Sequence, residues 1–75
     1  MKIEIGKKGL ITEGDIKGWY IRVDDDSDNT GGFLILTSPD PDMSSIMGHD
    51  NWVENEESLR SFFLESSWII DWIID

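Results

Sequence analysis

Three groups of residues in this chain carry side chains capable of chemistry. The first is the run Asp24, Asp25, Asp26 and Asp28, inside the stretch GWYIRVDDDSDNTGGFLILTS. Acids at alternate positions ahead of a glycine suggest an EF-hand calcium loop, which also needs a bidentate Glu at its twelfth position. Counting from Asp26 gives Asp26, Asp28, Thr30 and then Gly31, but the closing position is Thr37, and the flanks read as strands. The run reads better as an acidic hairpin turn or an acidic contact loop, and no metal or cofactor is assigned. The second group is His49, the single histidine, next to Asp50. Adjacent side chains seldom meet as base and orienter, and the nearby Ser44 and Ser45 do not define a triad, which is recognised by spatial roles. The third is a scatter of acids around Trp52: Asp40, Asp42, Asp50, Glu54, Glu56 and Glu57. A glycosidase-type pair can be picked from any set this large, and a short chain has little room for a deep dry pocket. No catalytic residue is assigned, and the chain reads as a non-enzyme.

Charge is the most informative bulk property. Sixteen Asp and Glu face six Lys and Arg, a formal net charge of −10 over 75 residues. Self-repulsion on this scale opposes compaction, so it is there either for solubility or for a basic partner drawn in by the field. Direct contact with nucleic acid is disfavoured, because phosphate binding needs a basic patch and only Lys7 and Lys8 adjoin each other. The length fits one small domain spanning 1–75. There are no cysteines, hence no disulfide framework or thiolate metal site. The start lacks the apolar run of a signal peptide, and no stretch is long and apolar enough to span a membrane. A cytoplasmic protein is expected.

The elements that must position these acids follow from periodicity. Ile3 and Ile5 alternate with Lys2 and Glu4, predicting a strand over Lys2–Ile5; Gly6-Lys7-Lys8-Gly9 reads as a turn and Leu10–Glu13 as a second short strand. Trp19, Ile21 and Val23 share one face of the next strand, with Tyr20, Arg22 and Asp24 on the other. Phe33-Leu34-Ile35-Leu36 is apolar on both faces, the pattern of a central strand covered on each side. Pro39 and Pro41 close it, and Met43–Trp52 reads as irregular. Asn55 is placed to cap a helix over Glu56–Ser66, with Glu56 and Glu57 in its first turn and Leu59, Phe62 and Phe63 on its apolar stripe. The ending WIIDWIID is open between helix and strand; its β-branched and aromatic content favours a strand with Trp68, Ile70, Trp72 and Ile74 on one face. The fold class is α+β: a four- or five-stranded antiparallel sheet with one helix packed on a face.

Laid out in this way, GWYIRVDD, then GGFLIL, then NWVENEESLRSFFLESSWIIDWI, the chain resembles the small acidic immunity proteins of bacterial polymorphic and contact-dependent toxin systems. The resemblance lies in size, acidity and layout over most of the chain. It implies a cytoplasmic inhibitor that covers the basic active-site surface of a cognate toxin domain, often a nuclease. No functional residue is transferred by it. From the residues themselves, the expected partner-binding set is Tyr20, Asp24, Asp25, Asp26, Asp28, Asp40, Asp42, Asp50, Trp52 and Glu54. Within it, Trp52 is either an anchor for a partner or a lid on the chain's own core. The competing expectation is a structural or regulatory adaptor, a homodimer whose acidity serves solubility alone. Monomer and homodimer both remain open.

Overall fold

The computed structural model describes residues 3–42 and 48–73. In chain order the described residues form β1 (Lys8–Glu13), β2 (Tyr20–Asp26), β3 (Gly32–Ser38), β4 (His49–Val53), the helix α1 (Glu56–Ser66) and β5 (Ile69–Ile73). The strands form one antiparallel sheet in the order β4-β3-β2-β1-β5. The helix carries the chain from one edge of the sheet to the other. It therefore lies across a single face, as the α+β reading requires.

The strongest element is the β2–β3 hairpin, paired in register from Tyr20↔Ser38 to Asp26↔Gly32. Ile21, Val23 and Ile35 turn toward the helix and are fully buried, together with Ile11, Leu59 and Phe63. Around this core pack Trp19, Phe33, Val53, Phe62, Trp68, Ile70 and Trp72. Trp68 meets Phe62 and Phe63 edge-on at 5.6 and 6.0 Å between centroids, the offset geometry that ring quadrupoles favour. Six of the eight aromatic residues thus lie in or against the core.

The helix begins and ends as its sequence dictates. The Asn55 side chain accepts the Ser58 N–H at 2.8 Å, satisfying one of the orphan donors of the first turn. Ser67, left-handed at φ 58°, closes the other end with its N–H on the Phe63 carbonyl. The tail adopts the strand alternative: Ile70 and Trp72 face the core and Asp71 is exposed. Ile74, assigned to the same face, lies outside the described residues.

Three expectations are corrected. The early hairpin does not form: Lys2 is outside the described residues, and Ile5 makes only one isolated parallel bridge to Val23. Lys8 and Gly9, read as a turn, are in β1, because Gly9 is a slot in the sheet. A Cβ there would sit 2.6 Å from Ile70 Cγ2 and 2.9 Å from Trp72 Cε3, so only glycine lets the edge strand's large side chains pass over β1. Second, His49–Trp52, read as irregular, belongs to β4; the run shows no apolar alternation, and all four residues stay exposed. Of the same stretch, residues 43–47 lie outside the described residues. Third, β3 is central but covered on one side only: Leu34 and Leu36 face away from the helix and stay half-buried.

Candidate binding face

The face of the sheet opposite α1 collects residues from every strand. Across it, Trp52, Leu34 and Asp24 fall in one row; Asp50, Leu36, Arg22 and Lys8 in the next; Ser38, Tyr20, Leu10 and Asp71 in a third. Among the described residues no helix covers it. Leu10, Tyr20, Leu34 and Leu36 are half-buried, and Trp52 is 49 % exposed. An apolar stripe with acids along its borders is therefore partly open to solvent, and the turn after β3 reaches over one end of it, where Lys8 Nζ donates to the Pro41 carbonyl at 2.7 Å and Ser38 is buried.

Trp52 is exposed but fixed. Its indole N–H donates to Thr30 Oγ1 at 2.7 Å, and the Thr30 hydroxyl donates to Asp26 Oδ2 at 2.9 Å. Beneath the ring lies Gly32, where an added Cβ would stand 2.7 Å from Trp52 Nε1 and would also collide with the Val53 carbonyl oxygen. The hairpin turn thus holds the ring against the sheet. Trp52 is no lid on the core, since it lies on the far side of the sheet from Phe63.

The acidic run is divided by strand alternation, and its members do different things. Asp24 faces the open side and is bound twice by Arg22, Nε to Oδ1 at 2.8 Å and the second guanidinium nitrogen to Oδ2 at 3.0 Å. Its charge is therefore largely matched within the chain. Asp25 points to the helix side, near Ile3, Ile5, Phe33, Glu56, Leu59 and Arg60. Ser27 donates to it through the backbone N–H at 2.9 Å and through its hydroxyl, holding the carboxyl below the ordinary carboxylate value. Asp26 organises the turn: its carbonyl accepts the N–H groups of Asn29 and Thr30 at 3.0 and 2.9 Å, and its carboxylate accepts Asn29 Nδ2 at 3.2 Å. Gly31, at φ +80°, lets the chain re-enter β3. Asp28 stands exposed in the turn. Among the described residues, no group of three or more His, Asp or Glu side chains is arranged to hold a cation.

Of the other expected contact residues, Asp42 and Asp50 line a hollow of about 290 Å³ with Arg22, Leu36 and His49, at the β4 side of the open face. Asp40 is exposed in the turn after β3, its N–H on Ser38 Oγ at 3.1 Å. Glu54 borders the helix entry beside Asn55, Glu57 and Ser58, away from the stripe. Tyr20, Asp24, Asp26, Asp50 and Trp52 thus share one face, whereas Asp25 and Glu54 do not. His49 stacks on Trp19 at 5.7 Å with the rings 5° from parallel, which gives it a packing role. The sequence reading missed Leu10, Leu34 and Leu36. Their signal was present: FLIL is apolar on both faces, and one helix can cover only one of them.

Among the described residues no helix is long and apolar enough to cross a membrane. Comparison with known proteins returns no matching family model, no matching curated protein and no matching solved structure.

Proposed function

We propose that this chain is a non-catalytic acidic binding protein that neutralises a basic protein partner by covering its functional surface, in the manner of a toxin-neutralising immunity protein. The observation that carries the reading is the pinned, half-exposed Trp52 beside Leu34 and Leu36 on an uncovered sheet face. Interfaces concentrate their binding energy in such rigid aromatic anchors, and an anchor fixed in advance loses little entropy on binding. The acids on and beside the face, with a net charge of −10, set the sign of the partner. Complementary charge raises the association rate and excludes acidic competitors. A nuclease toxin domain, whose cleft receives phosphate, has the required surface.

The test uses the product of the neighbouring reading frame, co-expressed with this chain. A toxic product should be captured stoichiometrically, with growth restored and with affinity falling steeply as salt shortens the screening length below about 8 Å. Reversing Asp28 and Asp50 together should weaken that complex at least about tenfold, whereas reversing Asp25, on the helix side, should leave it within about twofold. Equal loss from both variants, or an affinity indifferent to salt, would remove the charged face from the account. A salt-insensitive homodimer in sedimentation would favour the adaptor reading instead.

A further inference from the structure

The two edges of the sheet are not equivalent. β5 is seated, with Ile70 and Trp72 packed against the core. In β4, His49, Asp50, Asn51 and Trp52 are all exposed and only Val53 is half-buried. An antiparallel strand uses its backbone groups alternately on its two sides, so half of β4's N–H and C=O groups turn away from β3. Such a row is a template for another strand unless Lys, Pro, a bulge or a covering element blunts it. From Gly48 to Asn55 there is no Lys, Arg or Pro, and the β3–β4 pairing runs in unbroken register from Phe33↔Val53 to Thr37↔His49. The charge near the two edges also differs. β4 carries Asp50 and is followed by Glu54, whereas the strand beside β5 brings Lys8 opposite Ile73.

Resting on the acidic-binding reading above, we infer that β4 is the seat for an added strand, supplied by an extended basic segment of the partner. Backbone hydrogen bonds along β4 give the contact its strength, and side chains at alternate positions of the incoming strand give it selectivity. On the open face those side chains meet Asp50 and Trp52, one attracting a cation by charge and the other by its ring face. A second copy of this chain is a poor occupant, because each copy brings a net charge of −10.

The probe is an acetylated, amidated octapeptide alternating arginine and valine, added to the full chain at low salt. Its effect is read by amide-resolved hydrogen exchange. The β4 amides that β3 leaves unbonded should slow at least about tenfold, with β5 unchanged. Two controls, one with glutamate for arginine and one with proline for valine, should protect neither edge. Protection of β5 in place of β4, or no slowing at saturating peptide, overturns the inference. So does equal protection by the glutamate peptide. If the arginine and proline peptides bind alike and both are weakened by Asp50→Lys, strand addition falls while the acidic face stands as a charge-reading surface.

Discussion

The two faces of this sheet are woven from the same strands by the same alternation, yet they end in different states. Facing the helix, Ile11, Ile21, Val23 and Ile35 are sealed beneath Leu59 and Phe63. One residue away along the same strands, Leu10, Leu34 and Leu36 remain half in water. Their chemistry is the same; what differs is a second layer. A sheet face must be buried against another element to act as core, and the described residues supply one helix. Apolar side chains left outside the core, with an immobilised Trp beside them, are what the proposed association surface is built from. The covered face accounts for the fold, and the open face is the candidate for function.

Neighbouring residues of β3 put that difference to its hardest test. Ile35→Ala, on the covered side, should cost about 2–5 kcal/mol, since it removes a fully buried side chain and leaves a cavity. Leu36→Ala, pointing the other way, should cost no more than about 1 kcal/mol, the value of losing partial burial. Urea unfolding of the two variants measures both. Equal losses would mean that the outer face is also packed in solution.

Gly32→Ala comes next in size. The new Cβ would meet the Val53 carbonyl and the Trp52 ring, and backbone does not yield as a side-chain tip does. Overpacking of this kind costs about 1–3 kcal/mol. The damage should be local: β4 amides should lose exchange protection while β1 and β2 keep theirs. Uniform loss across the sheet would show that β4 belongs to the same cooperative unit as the core strands.

The covered face was largely legible in the sequence, and the reason is periodicity. Trp19, Ile21 and Val23 alternate, Leu59, Phe62 and Phe63 follow a helical stripe, and Asn55 announces the cap; these are local signals that tertiary packing then reinforces. β4 was not legible, because HDNW has no alternation to read; its strand character comes entirely from pairing with β3. Gly9 was misread for the opposite reason. Two lysines between glycines look like a turn, and the demand for a gap under Ile70 and Trp72 arises only once β5 returns from the far end of the chain. The acidic run was seen as one feature, yet alternation places Asp24 and Asp25 on opposite faces and Arg22 matches Asp24. Composition reports charge, but only the register says which way it points.

Trp52→Ala separates stability from binding on the open face. Half-exposed, the ring should contribute no more than about 1 kcal/mol to folding, while its loss should weaken partner binding by about 2 kcal/mol or more, roughly thirtyfold. Thr30→Val should reproduce a fraction of the binding loss, because it removes the hydroxyl that holds the indole without removing the ring. Calorimetric titration against the partner, beside a urea curve, gives both numbers. A variant that loses stability but binds as before would make Trp52 a structural cover for Gly32.

The smallest expected effect lies in the acidic run itself, at Asp25 on the helix side of the sheet. Hydrogen bonds from Ser27 lower its folded pKa, so its ionised form is favoured more in the folded chain than in the unfolded one. That contribution is present above the ordinary carboxylate range and is lost as pH falls through the lowered pKa. Because the carboxylate is solvent-exposed, the contribution is small at neutral pH. The stability gap between the wild-type chain and Asp25→Asn should be slight at pH 7 and close on acidification, while partner binding at pH 7 stays the same. Following the Asp25 carboxyl carbon by NMR through the titration fixes the direction of the shift. An Asp25 that titrates at or above the ordinary value, or whose loss weakens binding as much as reversal of Asp28 and Asp50, would erase the distinction between a helix-side acid held by Ser27 and the acids proposed to meet the partner.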